Sequence, residues 1–211
     1  MRTDLPPVTQ ALLIANVVVF GLQQFFDEAM LIHFALWPLG SRAIPGGSVG
    51  FEVWQLVSYG FLHGGLTHLL FNMLALWMFG GAIERLFGAR PFFLYYLVCV
   101  IGAAVAQLAV IAWFTGGFYP TVGASGGVFG ILLAFGMMYP QVRIMPLFPP
   151  IPMPAWLFVT LYGFAELVLG VTGTQAGVAH FAHLGGMAAG FLLIQYWRGR
   201  LPWKPRRILM R

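Results

Sequence analysis

The chain has 211 residues, of which 60% are hydrophobic and only 8% are charged, and its mean hydropathy is +0.84. A soluble domain carries about a quarter charged residues, so this composition excludes an ordinary water-soluble globule. Intrinsic disorder is excluded as well, because it requires low hydrophobicity and high net charge. The composition therefore indicates an integral membrane protein with little mass outside the bilayer.

Charged residues leave five uncharged stretches of 22 to 52 residues, and these mark the membrane spans. A spanning helix needs about 20 apolar residues, so the longest stretch, 91–142, holds two spans and each of the others holds one. The chain is predicted to be an all-α, polytopic, six-transmembrane-helix protein with a long outer loop between its first two spans. The spans are predicted near residues 9–26, 65–84, 91–113, 126–139, 155–170 and 178–197. The first is expected to be retained, because no small-x-small cleavage site follows it.

Basic residues predict the orientation of the chain in the membrane. With six spans, both termini lie on one side, and the termini and loops of that side hold ten of the eleven lysines and arginines. The opposite loops hold only Arg42. The positive-inside rule therefore predicts cytoplasmic termini. The net charge of +5 calls for no nucleic-acid partner, since a basic tail after a last span anchors to anionic lipid of the bilayer.

Few strongly polar side chains lie within the predicted spans, where such a residue is a functional candidate by default. They are His68 and Asn72 on the second span, Ser125 opening the fourth, Glu166 late in the fifth, and His180 and His183 on the sixth. The second, fourth and sixth spans all run inward, and their polar residues fall within or just before the first two turns. The pattern predicts one polar cluster in the outer third of the bilayer. We expect Glu166 to lie outside this cluster, near the outer surface.

The helical spacing of these residues supports the cluster. His68 and Asn72 are four residues apart and therefore share a face of the second span. Small-x-x-x-small spacing, which lets helix backbones approach closely in lipid, occurs on the fourth and sixth spans, at Gly126 and Gly130 and at Gly186 and Gly190. If these glycine faces meet, Ser125 and His183 come within reach of each other, and Phe129 packs against the imidazole.

Simpler interpretations exist for each residue alone. A serine between glycines is more often a packing residue than a nucleophile, and an intramembrane histidine often only hydrogen-bonds a carbonyl. His180 and His183 have the spacing of two metal ligands, but no third ligand is expected nearby, so no metal site is predicted. A transporter or channel with an ion path of histidines is a second functional class, although the chain lacks the repeated halves of many transporters. The joint occurrence of serine, histidines and asparagine at one depth favours an active site.

Intramembrane proteolysis has several chemical solutions, and the sequence excludes most of them. An aspartyl pair is excluded because the only aspartates, Asp4 and Asp27, lie outside the spans. The His-Glu-x-x-His pattern of zinc proteases is absent, and Cys99 lies in the middle of a span without a predicted histidine neighbour. A serine nucleophile remains, and histidine is its usual base. No cofactor is expected.

Because no carboxylate is expected at this depth, the pattern predicts a Ser125–His183 dyad rather than a triad. Attack on an amide places negative charge on the carbonyl oxygen, which fixed hydrogen-bond donors stabilise. The candidate donors are His68, the Asn72 amide and the backbone N–H of Ser125. Hydrolysis also consumes water, which suits a site near the outer surface better than one at the midplane.

Three motifs resemble those of the rhomboid family of intramembrane serine proteases. Gly123-Ala124-Ser125-Gly126 is similar to the family's G-x-S-G nucleophile motif, and His68-Leu69-Leu70-Phe71-Asn72 to its H-x-x-x-N motif. Ala182-His183-Leu184-Gly185-Gly186, followed by Gly190, is similar to its catalytic histidine with helix-packing glycines. The likeness covers nearly the whole chain and implies one rhomboid-like membrane domain over residues 1–211, of the minimal six-span bacterial type.

The resemblance also implies roles for individual residues. Ser125 corresponds to the nucleophile, His183 to the general base, and His68 and Asn72 to the oxyanion-stabilising pair. Phe129 stands where some relatives have a tyrosine packed on the histidine. The residues expected to line the site are Phe129, His180, Gly123 and Ala124.

The implied substrates are transmembrane proteins cleaved near the outer face of a bacterial plasma membrane. Lateral entry is expected beside the fifth span and the loop that follows it, which contains Gly170, Gly173 and Gly177. A catalytically dead relative that binds membrane clients is the remaining alternative, but such a protein is expected to have lost the serine or the histidine. The sequence leaves the oligomeric state open.

Overall fold

The computed structural model describes residues 4–44, 47–147, 150–173 and 179–203. Within these ranges, six long helices correspond to the six predicted spans, and we number the spans in chain order. They are Pro7–Phe34, Leu66–Phe87, Ala89–Thr115, Ser125–Met138, Ala155–Thr172 and His180–Trp197. Some positions used in the sequence analysis lie outside the described residues. They are residue 178 at the predicted start of the sixth span, Gly177, Arg2 and the basic tail from residue 204.

The fourth span is the shortest of the six and occupies the interior of the bundle. It has 14 residues, of which ten are buried. At 1.5 Å per residue it is about 21 Å long, which is shorter than a hydrocarbon core of about 30 Å. At least one of its ends therefore lies below the membrane surface. Among the described helices, the first, second, third and fifth spans are long and apolar enough to cross a membrane, judged by length and composition alone.

Glycine residues bring the fourth and sixth spans together. A Cβ atom added at Gly186 would collide with the backbone of Gly126, so these two helices touch backbone to backbone. The second pair of glycines contacts the third span instead: an added Cβ would lie 2.6 Å from Cys99 Cβ at Gly130 and 2.9 Å from Cys99 Sγ at Gly190. The predicted glycine contact is thus made between Gly126 and Gly186, and Cys99 of the third span lies against both Gly130 and Gly190.

The loop between the first two spans is folded onto one end of the bundle, which we call the outer end after the orientation predicted from the charges. The first helix has one non-helical residue, Phe26 (φ −132°, ψ 30°), and then continues to Phe34. The apolar segment 30–39 of the long loop is therefore partly the end of this helix. Strands β1 (Ser41–Ile44) and β2 (Gly47–Gly50) follow as an antiparallel hairpin.

A fully buried glutamine amide holds this outer loop together. The Oε1 atom of Gln55, the first residue of the helical turn Gln55–Ser58, accepts hydrogen bonds from the N–H groups of Trp37 and Glu52, both at 3.2 Å. Its Nε2 atom donates to the carbonyl oxygen of Gly50 at 3.2 Å. Because residue 37 and residues 50–52 of the loop share one side chain, the loop is a packed structure and not a loose connection.

The opposite end of the bundle is fixed by a buried carboxylate. Glu84 accepts hydrogen bonds from the N–H of Val8 at 2.9 Å, the N–H of Thr9 at 2.7 Å and the Thr9 hydroxyl at 2.7 Å. N–H groups in the first turn of a helix have no partner within that helix. Glu84 on the second span therefore caps the first span.

Tight connections lie at this same end. Gly88 (φ 86°) alone separates the second and third spans. The proline-rich inner loop is not helical in its described part. It contains the short antiparallel pair β3 (Arg143–Ile144) and β4 (Met153–Pro154).

We expect Glu84→Gln to lower the free energy of unfolding by about 1–3 kcal/mol, because hydrogen bonds to a charged acceptor are worth roughly that much. Thermal unfolding in detergent micelles measures the change. Glu28→Gln is the matched control, since Glu28 is exposed, and it should change stability by no more than about 0.5 kcal/mol. Equal melting temperatures for the two variants would contradict the capping role.

Candidate active site

Ser125 and His183 lie in direct contact at the outer end of the bundle. Ser125 is the first residue of the fourth span, and His183 lies in the first turn of the sixth. His183 Nε2 is 2.8 Å from Ser125 Oγ, a hydrogen-bond distance. His183 is buried, whereas Ser125 is half-buried. The contact follows from the glycine packing, because Ser125 directly precedes Gly126, whose backbone meets the sixth span.

Aromatic stacking fixes the plane of the His183 ring. The Phe129 ring lies parallel to the imidazole, with 4.2 Å between ring centroids and 8° between planes. Tyr162 of the fifth span stacks in turn on Phe129, with centroids 5.4 Å apart. Phe129 covers one face of the imidazole, so the ring keeps its plane. Its two nitrogens therefore point sideways, between the packed helices.

A carboxylate lies beside His183, where none was expected from the sequence. Glu166 Oε2 is 2.8 Å from His183 Nδ1 and 2.7 Å from His180 Nδ1. Glu166 is only 8% exposed. The expectation that no acidic residue lies at this depth, and that Glu166 lies outside the cluster, is therefore wrong. The fifth span runs outward, so a residue late in it falls level with the start of the fourth and sixth spans; that topology was the missed signal.

The same three side chains form a possible set of metal ligands. Glu166, His180 and His183 each offer one ligand atom, and these atoms lie within 4.8 Å of one another. The third ligand that the sequence was thought to lack is therefore present. However, two ligand atoms about 2.05 Å from a tetrahedral zinc ion lie about 3.3 Å apart. The observed nitrogen–oxygen distances of 2.7 and 2.8 Å fit direct hydrogen bonds better than a shared ion.

His68 approaches Ser125 across a glycine. Gly123 has φ 130°, and a Cβ atom there would lie 2.7 Å from His68 Cε1, 2.9 Å from His68 Nε2 and 3.5 Å from Ser125 Oγ. The His68 ring edge and the serine hydroxyl therefore border the same point. The Gly64 N–H donates to His68 Nδ1 at 3.4 Å. In a neutral ring this places the hydrogen on Nε2, the atom that faces Gly123. Ala124, fully buried, joins Gly123 to the helix.

Asn72 lies one turn further along the second span. Its side chain is buried, and its Nδ2 atom donates to the carbonyl oxygen of His68 at 3.0 Å within the same helix. One hydrogen of the amide is therefore engaged by the helix backbone, and the second is the one left for another acceptor. Of the predicted oxyanion donors, the His68 ring lies beside the Ser125 side chain across Gly123, and the Asn72 amide is hydrogen-bonded to the His68 carbonyl oxygen.

Comparison with known proteins identifies the family. Residues 50–200, well over half of the chain, match the family model described as Rhomboid domain. The chain belongs to the rhomboid family. All the predicted site residues fall within the matched region of this rhomboid.

Several curated rhomboid sequences are similar to the chain. Rhomboid protein 1, mitochondrial, of Saccharomyces cerevisiae is 31% identical over 205 residues, which cover 90% of this chain and 53% of that protein. RHOMBOID-like protein 4 of Arabidopsis thaliana is 38% identical over 144 residues (68% and 34%). Rhomboid protease GlpG of Serratia proteamaculans is 27% identical over 210 residues (95% and 66%). The rhomboid described here thus spans about a third to two thirds of the length of these relatives.

A second histidine supports His68 from the outer loop of the rhomboid. The rings of His63 and His68 meet edge to face, with centroids 5.1 Å apart. The Gln23 side chain holds the His63 backbone, accepting from its N–H at 2.9 Å and donating to its carbonyl oxygen at 3.2 Å. Burial, together with the neighbouring His68, lowers the pKa of His63 to about 4. His63 is therefore neutral at neutral pH.

This lowered pKa predicts a pH-dependent stability. The folded state binds the His63 proton less well than the unfolded state, whose pKa is 6.5. The stabilisation is complete above pH 6.5 and is lost as the pH falls towards 4. We expect His63→Phe to gain melting temperature relative to the parent protein as the pH falls from 7 to 4.5. His33→Phe, at an exposed position, is the control. Parallel pH curves for the parent and His63→Phe would contradict this prediction.

Proposed function

We propose that this rhomboid is an intramembrane serine endopeptidase that hydrolyses peptide bonds in or next to transmembrane helices of membrane-protein substrates. The observation that carries the proposal is the 2.8 Å contact between Ser125 Oγ and His183 Nε2. Relatives named rhomboid protease support it from the comparison. The serine stands at one end of a short helix, so the reaction would take place near one face of the bilayer, and we assign this to the outer face.

In the proposed mechanism, Ser125 Oγ attacks the substrate carbonyl carbon while His183 Nε2 takes the hydroxyl proton. The tetrahedral intermediate collapses when the same nitrogen returns the proton to the departing amine. This leaves an acyl-serine ester. Water, again deprotonated by His183, then hydrolyses the ester and restores the serine. Phe129 keeps the imidazole in plane through both halves of the reaction.

Negative charge on the substrate oxygen would be stabilised at the junction of the second and fourth spans. The Ser125 N–H belongs to the first residue of a helix and has no carbonyl four residues back in that helix. The positive end of the helix dipole adds to it. The Nε2–H of His68 borders the same position, and Asn72 holds the backbone of His68 through their hydrogen bond. Fixed donors of this kind contribute about 2.7–4 kcal/mol each.

Substrates would enter beside the fifth span, which lies at the edge of the bundle with few buried residues. Only 17% of the residues in its 18-residue apolar stretch are buried. This is the lowest share among the described helices that are long and apolar enough to span. Gly170 belongs to the last turn of this helix, not to the following loop as expected from the sequence, and Gly173 (φ 65°) ends it. Gly177, the third glycine of the predicted gate, lies outside the described residues. A helix with few buried residues beside the site supports lateral opening.

We further propose that the protein resides in a bacterial plasma membrane with cytoplasmic termini. The charge asymmetry of the loops supports this orientation. The competing hypothesis of an ion path has less support, because His68, His180 and His183 lie together at one end of the bundle and do not form a path across it.

We expect Ser125→Ala and His183→Ala each to lower the cleavage rate of a transmembrane substrate in detergent by at least about 10³-fold, since a nucleophile and its base act as a unit. A fluorophosphonate probe should label the parent protein and Ser48→Ala, whose serine is exposed on the outer hairpin, but not Ser125→Ala. Cleavage by Ser125→Ala at the parent rate would disprove the proposal.

Gly123→Ala tests the oxyanion site. Its methyl group would displace the His68 ring edge and force an alanine to φ 130°. We expect kcat to fall by about 10²–10³-fold, the effect of removing one oxyanion donor, with a small change in KM. Gly21→Ala is the matched control, because a Cβ there contacts nothing within 4 Å. An unchanged kcat for Gly123→Ala would contradict the assignment of His68.

A further inference from the structure

We infer that Glu166 is a positioning carboxylate for His183, so that the dyad expected from the sequence works as a Ser125–His183–Glu166 triad in which His180 holds the carboxylate. This inference rests on the proposed function of Ser125 and His183. It is carried by one oxygen atom, Glu166 Oε2, which lies within hydrogen-bond distance of the Nδ1 atoms of both histidines.

The hydrogen-bond pattern selects the tautomer of His183 that can act as a base. An ionised carboxylate only accepts hydrogen bonds, so a neutral histidine next to it must carry its proton on the facing nitrogen. For His183 that nitrogen is Nδ1, 2.8 Å from Glu166 Oε2. The lone pair of Nε2 is then free to accept the hydroxyl hydrogen of Ser125. Without the carboxylate, nothing in these contacts keeps the proton off Nε2.

The charge of Glu166 also acts during the reaction. When His183 takes the serine proton it becomes a cation, and the adjacent carboxylate forms a short ion pair with it. Because Glu166 and His183 are both buried, water screens this attraction less than at a surface. The ion pair exists only after proton transfer, so it stabilises the transition state and not the bound substrate.

His180 is hydrogen-bonded to the site through Glu166. Its Nδ1 atom donates to Glu166 Oε2 at 2.7 Å, and its ring lies nearly perpendicular to that of His183. A second donor on one oxygen fixes the carboxylate against rotation. A small residue allows this approach: Gly170, four residues after Glu166, would with a Cβ come within 3.1 Å of His180 Cβ. The fifth and sixth spans can therefore close around the carboxylate.

A purely structural role, in which Glu166 only ties the fifth span to the sixth, predicts different kinetics. A structural tie would change the amount of folded protein and its melting temperature, but not the turnover number of the folded fraction. A positioning role lowers kcat and leaves KM nearly unchanged. The two roles are thus separable by steady-state kinetics on purified full-length protein.

The test compares Glu166→Gln with Glu84→Gln, the same substitution at a buried glutamate at the opposite end of the bundle. We expect Glu166→Gln to lower kcat about 10- to 1,000-fold, below the ~10⁴-fold effect of neutralising the carboxylate of a well-studied soluble triad. KM should change by less than about threefold. Glu84→Gln should lower the melting temperature and leave kcat of the folded fraction unchanged. The rate of fluorophosphonate labelling at Ser125 should fall in parallel with kcat.

Two further variants keep the inference testable if Glu166→Gln folds poorly. Glu166→Asp retains the charge and should recover part of the lost kcat. His180→Gln should lower kcat less than Glu166→Gln, and the double variant should be no slower than Glu166→Gln alone, because His180 acts through the carboxylate. A parent-like kcat in Glu166→Gln, or in His180→Gln where Glu166→Gln does not fold, would overturn the triad while inactive Ser125→Ala still supports the proposed function. An active Ser125→Ala would instead remove the proposed function itself.

Discussion

The backbone contact between Gly126 and Gly186 is the constraint on which the site depends. In lipid there is little hydrophobic force between helices, so close packing of small residues carries much of their association. A side chain at Gly186 would collide with the Gly126 backbone and separate the two helices. The serine and the histidine lie within three residues of these glycines, so a separation of even 1–2 Å would break their 2.8 Å hydrogen bond.

Much of the fold could be predicted because charge is so sparse in this sequence. Each uncharged stretch had room for a known number of helices, and the six observed helices start and end within a few residues of the predicted ones, apart from the first, which continues past Phe26 to Phe34. The contents of the outer loop could not be predicted. Its order depends on the buried amide of Gln55, which bonds backbone groups far apart in sequence, and no local pattern signals such contacts.

The candidate site was predicted in part, by depth. Counting helical turns from the span ends predicted the same depth for Ser125, His183 and His68. The same count was not applied to Glu166, although its position late in the fifth span gives that depth too. Gly130 and Gly190 show a different limit of prediction. Their spacing does not indicate which neighbouring side chain packs against them, and in the structure it is Cys99 of the third span. The amide of Asn72 shows a third, since its choice of the His68 carbonyl within its own helix depends on side-chain rotamers that spacing does not determine.

The two buried glutamates explain how so apolar a bundle tolerates charge. Each carboxylate is placed where it meets donors that would otherwise lack partners, the first-turn N–H groups of Val8 and Thr9 for Glu84 and two imidazoles for Glu166. Leaving either charge unpaired in a low-dielectric interior would be strongly destabilising. The donors at the inner end are two backbone N–H groups and the Thr9 hydroxyl, none of which gains or loses a proton near neutral pH. Those at the outer end are titratable rings, one of which also contacts a half-exposed serine. The same physical solution therefore yields a structural cap at one end and, in the proposed mechanism, the means of moving a proton at the other.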